Sequence, residues 1–525
     1  MTRGEISDDP LPLLMNSLTR GTQKWVPSAV PGVVELKGGR SVASCSIIIG
    51  LDVGLVPMVF SSDQVVLERC EKFLSPIYWT DVNIRSQMFP LRLPFGEMEM
   101  LLLRPEEPHL PFPRVQEMKT EGRFRPCVVG DVFGPAWATV WFYLKVALPG
   151  PLHDRHVGIR WDSSSEAMLF SSQGDYLQAF TGGDGADRRD LFLLPRLASK
   201  GETLEFFVEM ACNGMFGNGL GGMIRPPDEK SSFQLRVAEV VEVNLPLHSL
   251  FWDLTALHSL ASHSKDSAVS SQIITTISWI LNKVDISDAS SVLACHRKAE
   301  EAMLGSQVNH DITAVGHCHI DTAWLWPYRE TRRKVMRSWS TQLALMESYP
   351  EWRFVASQGV QFEWLMQDHP QLFNRIVDKI QTGRFIPVGG TYVEFDANIP
   401  SAESFIRQFL YGSQFFEKTL GVQTDVFWLP DTFGYSAQLP QIMRGFGMKY
   451  FLSQKLSWNL FNTFPHSSFE WEGIDGSRVI AHFPPADSYN ATCSAEDFLK
   501  SVSNHKSLKS SNRSMVLFGH GNYEA

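Results

Sequence analysis

The second half of the sequence alternates short apolar runs with segments of helical periodicity, and this alternation constrains the fold more than any other feature. The apolar runs begin after Asp311 and read "DITAVG", "RFVAS", "FIPVGG", "VFWLP", "KYFLSQ", "RVIAHF" and "SMVLFG". Strands that alternate with helices predict a parallel sheet, and in such folds the chemistry lies at the carboxyl ends of the strands. Helices are predicted to begin near Trp324, to run from about Gln361 to Thr382, and to begin at Ser401.

The sequence before this half has a different pattern. Between about Phe73 and Leu245 it is broken by Gly and Pro, and stretches such as "AWATVWFYLKVAL" and "FQLRVAEVVEV" alternate as strands do. From His248 the periodicity becomes helical. We therefore predict a multidomain α/β and β fold in four parts: an atypical, poorly ordered segment at 1–65, a β-sandwich-like accessory domain at 66–247, a helical connector at 248–310 and a parallel-sheet α/β domain at 311–525.

The composition excludes some classes of function. The chain of 525 residues carries a net charge of −10, which argues against nucleic acid as its main partner. Its seven cysteines are an odd number without a Cys-x-x-Cys pair, so we expect reduced thiols in a cytoplasmic protein rather than disulfides. The start of the sequence lacks the apolar segment of a secretory signal. The most apolar early run, from Ser46 to Phe60, is short and contains Asp52, so we expect no membrane partner.

The stretch "GHCHIDTAWLWP" places His319 and Asp321 where the first predicted strand of the α/β part ends. Residues two apart on an extended chain point to the same side, so the two side chains converge, and both are good zinc ligands. A His-x-Asp pair alone is more often a polar cluster bonded to loop backbone, because zinc needs three or four ligands. His317 is either a partner of the metal ligands or, in the interpretation we favour, a core histidine. Trp324 is either a core residue or a surface on which a sugar ring stacks.

Two further strand ends carry carboxylates. In "WLPDTFGYS", Asp431 follows an apolar strand at a sharp turn. An aspartate there is usually a turn or capping residue, but together with the His-x-Asp pair it becomes a third ligand or a nucleophile. In "GGTYVEFDANIPSAES", Glu394 and Asp396 alternate after a strand and are either a solvated strand face or substrate-binding residues. Three polar loops with aromatic neighbours at three strand ends together predict a metal-assisted site that suits a neutral, polyhydroxylated substrate.

These motifs, with "VGGTYVEFDANIPSAESFIRQF", "WLPDTFGYSAQLPQIM" and "QKLSWNLFNTFPHSSFEWEGIDGS", resemble the cytosolic branch of the class II α-mannosidases, glycoside hydrolase family 38. The resemblance extends from about Leu67 to Phe518 and is densest after Asp311. It implies that the α/β part is a seven-stranded, barrel-like catalytic domain. It also implies a retaining exo-α-mannosidase that uses Zn²⁺ or Co²⁺ and hydrolyses terminal α-mannose from free oligosaccharides in the cytosol.

The resemblance assigns roles residue by residue. His319 and Asp321 match the first two metal ligands of the family, and Asp431 matches the residue that is both a ligand and the catalytic nucleophile. Trp324 and Phe433 match positions that line the mannose site. In a retaining mechanism a second carboxylic acid, about 5–5.5 Å from the nucleophile, protonates the leaving oxygen. The expected partner is a mannose-containing oligosaccharide, no organic cofactor is implied, and a homo-oligomer stays open.

The end of the sequence departs from the family pattern. Relatives have an aspartate, identified as the acid/base, in a glycine-rich loop where this chain has Asn522, and an amide does not act as a general acid. Neither Glu524 nor His520 is expected to replace the missing acid or the fourth metal ligand. We therefore expect the 525-residue chain, as a C-terminally truncated form, to be nearly inactive. The alternative is a non-catalytic glycan- or partner-binding fragment of the same fold, and a zinc deacetylase on a related barrel is a more distant one.

Overall fold

The computed structural model describes residues 63–183, 188–214, 230–304 and 310–519. Most of the predicted segment 1–65 lies outside these residues, as do His520, Asn522 and Glu524, on which the expectation of a missing acid rests. Within the described part of the chain, no helix is both long and apolar enough to cross a bilayer.

The described residues form twelve α-helices and twenty strands. The helices are α1 (Asp63–Leu74), α2 (Ile84–Gln87), α3 (Phe112–Thr120), α4 (Leu245–His263), α5 (Ser267–Lys283), α6 (Ala289–Leu304), α7 (Tyr328–Ser348), α8 (Gly359–Asp368), α9 (Pro370–Gln381), α10 (Ala402–Phe415), α11 (Leu439–Gly445) and α12 (Ala495–Ser503). The strands before α4 are β1 (Arg92–Pro94), β2 (Glu97–Leu103), β3 (Arg125–Pro126), β4 (Val132–Phe133), β5 (Thr139–Ala147), β6 (His156–Asp162), β7 (Ala167–Ser171), β8 (Tyr176–Phe180), β9 (Leu191–Leu197), β10 (Thr203–Ala211), β11 (Phe233–Gln234) and β12 (Val237–Glu242). The strands after α6 are β13 (Asp311–His317), β14 (Phe354–Gln358), β15 (Phe385–Thr391), β16 (Val426–Trp428), β17 (Tyr450–Leu452), β18 (Ser468–Glu472), β19 (Arg478–His482) and β20 (Arg513–Phe518).

Five helices pack together, although two of them precede the antiparallel sheets in the sequence and three follow them. One apolar face of each of α1, α2, α4, α5 and α6 contributes to a shared core, whose buried members include Cys70, Ile84, Leu254, Ile277 and Val292. The start of α5 is fixed by Asp266, whose carboxylate accepts hydrogen bonds from the first backbone N–H groups of the helix. Helices α1 and α2 fall in the stretch predicted for the sandwich, but by packing they belong to this helical group.

The strands from β1 to β12 form the antiparallel, sandwich-like part. Their two main sheets have the orders β1-β12-β6-β9 and β3-β2-β5-β10-β7-β8, and β4 pairs with β11. Residues from both sheets share one core, in which Phe142 of β5 lies edge-on to Trp161 of β6, with ring centres 4.8 Å apart. Strand β5 is buried on both faces, because on its other side Trp141 packs against Phe112 of α3 and Tyr143 packs against Phe207 of β10. This double burial explains its continuous apolar sequence.

The strands from β13 to β20 form the predicted α/β part with a parallel sheet. One sheet has the all-parallel order β15-β14-β13-β20, and the other has the order β16-β17-β19-β18, in which only β18 is antiparallel. Ser401 caps α10 as expected, since its hydroxyl accepts from the N–H of Ser404. Two helix predictions were wrong in their bounds. The helix expected near Trp324 begins at Tyr328, because residues 318–327 form a loop, and the helix expected from 361 to 382 is two helices, since Pro370 starts a new one.

Helix α7 joins the sandwich to the parallel sheet. It lies between the outer face of the larger antiparallel sheet and strands β14 and β15, and fourteen of its 21 residues are buried. Trp339 packs against Phe362 and Phe385, with ring centres 4.5 and 5.4 Å away. The cationic side chains of α7 form ion pairs with buried carboxylates of the sandwich: Arg333 with Glu209, and Lys334 and Arg337 with Glu166.

Candidate metal centre

The polar side chains of the site come from loops that follow the parallel strands. His319 and Asp321 follow β13, Glu394 follows β15, Asp431 follows β16 and Lys455 follows β17. Parallel strands end on the same edge of a sheet, so side chains from separate stretches of sequence meet there. The two parallel sheets therefore contribute to one site at their carboxyl ends.

The alternation of the chain after β13 decides where His319 points. Cys318 and Ile320 are buried in the apolar core around α7, so His319 and Asp321 face the opposite side. His317 is buried as well, and burial lowers its pKa to about 4, so this imidazole is neutral. That is the core histidine interpreted from the sequence.

His319, Asp321 and Asp431 form one cluster, in which a ligand atom from each lies within 4.8 Å of the others. Nε2 of His319 is 3.4 Å from Oδ1 of Asp321 and 3.2 Å from Oδ2 of Asp431. Burial acts to lower the pKa of His319, but the carboxylates around it, Glu394 foremost, raise that pKa well above its usual value. The imidazole therefore lies in a strongly negative environment.

These distances fit a shared metal ion. Zinc bonds to imidazole nitrogen and carboxylate oxygen are about 2.0–2.2 Å long, so two ligands of a tetrahedral ion are about 3.3–3.6 Å apart. Nε2 of His319 is buried and has no hydrogen-bond partner among the described residues, and the two atoms that face it are carboxylate oxygens. If Nε2 carries no proton, its lone pair and those of the two carboxylate oxygens repel one another. A cation bound between the three atoms removes this repulsion. One imidazole and two carboxylates are donors that Zn²⁺ binds.

Asp431 is held through both of its oxygens. Oδ1 lies 2.7 Å from Nζ of Lys455, and Oδ2 accepts a hydrogen bond of 3.0 Å from the hydroxyl of Tyr489. Burial alone would raise the pKa of Asp431, but His319 and Lys455 lower it below its usual value. Burial raises the pKa of Tyr489, so the phenol stays protonated and donates the hydrogen bond to Asp431. The carboxylate of Asp431 is therefore ionised and fixed in orientation.

The two acidic residues after β15 have different surroundings. Glu394 is buried; its Oε2 lies 2.8 Å from Nδ1 of His319, and its Oε1 accepts a hydrogen bond from the hydroxyl of Ser357. Asp396 is exposed, and its Oδ1 accepts hydrogen bonds of 2.8 Å from the backbone N–H groups of residues 398 and 399. The structure thus brings Glu394 into the cluster, whereas Asp396 shapes its own turn at the surface.

The two aromatic side chains assigned to the mannose site are exposed to solvent. Trp324 is 46% exposed and lies edge-on to the buried Trp326, with ring centres 5.4 Å apart. Phe433 is 71% exposed and lies edge-on to Trp458 at 6.5 Å. Nζ of Lys455 is 4.9 Å from the centre of the Phe433 ring, which places that ring beside the partner of the central carboxylate. Exposed aromatic faces suit the apolar face of a sugar ring.

Two residues that contact Asp431 were not singled out in the sequence. Lys455 lies in the short 3₁₀ turn that follows β17, and Tyr489 lies in the loop after β19. Treating every strand end as a candidate position would have found Lys455, because it follows its strand as closely as Asp431 does. Tyr489 gives no comparable signal, since several residues separate it from the end of its strand.

Sequence comparison relates this arrangement to known proteins. Residues 309–525 match the family described as "Glycosyl hydrolases family 38 N-terminal domain", and residues 104–241 match "Alpha-mannosidase, jelly roll domain". The chain belongs to glycosyl hydrolase family 38. In this family 38 chain the antiparallel sandwich is a jelly roll, and the metal cluster lies in the α/β part that matches the family's N-terminal domain.

Curated relatives of the family 38 chain include α-mannosidases of three organisms. "Alpha-mannosidase 2C1" of Homo sapiens is 43% identical over 462 residues, which are 87% of this chain and 44% of that protein. "Alpha-mannosidase G" of Dictyostelium discoideum is 39% identical over 88% of this chain and 42% of that protein. The "Alpha-mannosidase" of Saccharomyces cerevisiae is 41% identical over 77% of this chain and 39% of that protein. The chain therefore spans less than half the length of these relatives.

Proposed function

We propose that this chain carries the metal-binding and nucleophile-bearing part of a retaining exo-α-mannosidase, which hydrolyses terminal α-mannose from oligosaccharides. The observation that supports this most is the convergence of His319, Asp321 and Asp431 at the strand ends of a family 38 chain. The substrate is taken from the relatives, which are α-mannosidases by name. A cytoplasmic location belongs to the same proposal and is supported by cysteines that form no disulfide within the described residues.

The metal of the proposal is Zn²⁺ or Co²⁺, held by His319, Asp321 and Asp431. When bound, such an ion supplies a Lewis acid that fixes sugar hydroxyls and supports the charge of an oxocarbenium-like transition state. Trp324 and Phe433 contribute apolar ring faces that hold the sugar and exclude water from one side.

Asp431 is proposed as the nucleophile. Its ionised carboxylate attacks the anomeric carbon, so that a carbon–oxygen bond to Asp431 forms while the bond from that carbon to the leaving oxygen breaks. Lys455 and Tyr489 each contact one oxygen of the carboxylate and so restrict its rotation. A sugar leaving group needs a proton from a general acid, whereas a weakly basic leaving group such as dinitrophenolate needs none.

We also propose that the seven parallel strands form an open barrel. The strands β20-β13-β14-β15 pair in one sheet and β16-β17-β19 pair in another, β15 lies beside β16, and the ends of β13, β15, β16 and β17 all carry residues of the cluster. The proposed domains are then a helical group at 63–88 and 245–304, a jelly roll at 92–242 and a catalytic part from residue 311 onward.

Covalent trapping tests the nucleophile without requiring a general acid. The metal-loaded chain is incubated with a fluorinated α-mannosyl donor that carries dinitrophenolate or fluoride as leaving group, because such donors form the glycosyl intermediate but hydrolyse slowly. Mass spectrometry should find one sugar per chain on the peptide that contains Asp431. Asp431→Asn should remain unlabelled, and Asp425→Asn, which changes a partly exposed aspartate paired with Lys449 just before β16, should label like the unmodified chain.

The other outcomes separate the alternatives. A label on a different carboxylate would show that the nucleophile is misassigned. Binding of mannose oligosaccharides by calorimetry without any label would favour the non-catalytic glycan-binding fragment. Neither binding nor label in the metal-loaded chain would overturn the proposed function.

A further inference from the structure

Glu394 and His319 each have a buried polar atom whose partner needs to be identified. Nδ1 of His319 and Oε2 of Glu394 lie 2.8 Å apart, and neither has another hydrogen-bond partner among the described residues. The side chains are 5% and 6% exposed, so water does not replace a missing partner. Buried polar atoms without a partner are strongly unfavourable, so we take these two atoms as each other's hydrogen-bond partners.

The position of the Glu394 carboxylate is fixed by its neighbours rather than by a substrate. Its second oxygen accepts from Ser357, and its backbone N–H donates to Oε1 of Gln358 at 3.2 Å. The same Gln358 donates from Nε2 to the carbonyl oxygen of Ile320 at 2.8 Å, which lies between two of the cluster residues. Strand β14 therefore ties the loop after β13 to the loop after β15.

We propose that Glu394 is a positioning residue for the metal, acting through His319, and does not bind the sugar. By accepting a hydrogen bond from the N–H group at Nδ1, it fixes the imidazole in the tautomer whose Nε2 lone pair faces Asp321 and Asp431. It thereby increases the affinity of the cluster for the ion. This inference rests on the proposed metal centre and assigns Glu394 a role other than the substrate contact predicted from the sequence.

Asp396 provides a matched comparison. It lies two residues further along the same segment and carries the same charge, but its carboxylate is exposed and accepts from its own turn. Asp396→Asn keeps an oxygen for the turn and removes a charge. Glu394→Gln keeps an oxygen that can accept from Nδ1, and Glu394→Ala removes it altogether.

The test is a titration of each metal-free variant with Co²⁺, followed by the visible absorption of the bound ion and by competition with a chelator. Loss of a partner of a metal-bound histidine typically lowers metal affinity about 10–100-fold. We expect a loss in this range for Glu394→Ala, a smaller one for Glu394→Gln, and a change below about twofold for Asp396→Asn. The absorption intensity of bound Co²⁺ should also change in Glu394→Ala, because the imidazole is no longer held in one orientation.

Several results would overturn the inference. If Glu394→Ala folds and binds Co²⁺ as tightly as the unmodified chain, the positioning role is wrong although the metal centre stands. If the unmodified chain binds no Co²⁺, the metal centre itself is wrong, and this inference fails with it. Should Glu394→Ala not fold, Ser357→Ala removes the donor that fixes the carboxylate and should weaken Co²⁺ binding several-fold; unchanged affinity there would likewise contradict the role.

Discussion

Two clusters of buried charge differ in how their charges balance. The cluster between α7 and the jelly roll contains the carboxylates of Glu166, Glu209 and Glu330, the cationic groups of Arg333, Lys334 and Arg337, and the imidazole of His109 beside Glu209. The cluster at the strand ends contains the carboxylates of Asp321, Glu394 and Asp431. Among the described residues, the groups in direct contact with them are the ammonium of Lys455 and the imidazole of His319. Both are largely removed from water.

The two clusters differ in whether the protein itself compensates their buried negative charge. A buried carboxylate requires a compensating charge, and in the first cluster the cations of α7 supply one for every acid. When Nε2 of His319 binds a metal ion the imidazole is neutral, and the three carboxylates with Lys455 then carry two net negative charges, which one divalent ion compensates. The first cluster is therefore complete as a junction between two layers of the fold, whereas the second is complete only with a cation.

The largest effect on the free energy of unfolding is expected from removing one carboxylate of the cluster between α7 and the jelly roll. Glu166→Gln leaves Lys334 and Arg337 buried without their carboxylate, and removing one partner of a buried ion pair costs about 3–5 kcal/mol. Urea unfolding should show a loss of this size. Glu205→Gln, which removes a partly exposed partner of Lys145, should change the free energy of unfolding by less than about 1 kcal/mol. Equal effects of the two variants would show that burial does not distinguish these ion pairs.

The second prediction concerns the cation that the strand-end cluster lacks. Adding Zn²⁺ or Co²⁺ at about 100 times its dissociation constant should raise the free energy of unfolding by about 2.7 kcal/mol, since the ion binds only the folded site. Thermal unfolding with and without a chelator measures this. His319→Ala should abolish the stabilisation, and Glu166→Gln should keep it. A stabilisation that survives in His319→Ala would place the ion elsewhere.

A more gradual effect is expected from acid, and it involves the junction rather than the metal site. His369 lies between α8 and α9, and its Nδ1 is 2.8 Å from the hydroxyl of Tyr176 on β8. Burial lowers the pKa of His369 to about 4, and the nearby cationic side chain of Arg332 acts in the same direction. The carboxylates of Glu209 and Asp368 oppose this shift without cancelling it.

The sign of the pH dependence follows from that lowered pKa. As the pH falls below 6.5, the unfolded chain binds a proton at His369 before the folded chain does, so stability is lost between about pH 6.5 and 4. The slope from this residue is up to about 1.4 kcal/mol per pH unit. Urea unfolding of His369→Gln should show a shallower loss of stability over this range than the unmodified chain. Parallel profiles would contradict the lowered pKa.

The sequence predicted the features that depend on local pattern. The alternation of short strands and helices indicated the parallel sheet, and strand ends followed by His319, Asp321 and Asp431 indicated where a site would form. Alternation also predicted that His319 and Asp321 face the same side. The parallel sheet and the convergence of these three side chains are confirmed, because each element and each strand end can be recognised from a short stretch of sequence.

Features that depend on tertiary packing could not be predicted from the sequence. The sequence gives equal weight to Glu394 and Asp396, and only the folded positions of His319 and Ser357 distinguish them. The burial of the cationic side chains of α7 could not be predicted locally either, because the carboxylates that pair with them come from the jelly roll, far earlier in the chain. Likewise, nothing near α1 in the sequence shows that it packs with helices that follow the jelly roll.

The position of a bound ion tests the central claim most directly. Crystals of the chain grown with Co²⁺ would be measured at the cobalt absorption edge, where the anomalous signal locates the metal independently of the protein. We expect one strong peak about 2.0–2.2 Å from Nε2 of His319 and from carboxylate oxygens of Asp321 and Asp431. No peak is expected at the charge cluster between α7 and the jelly roll. A fully occupied ion elsewhere, with none at His319, would contradict it.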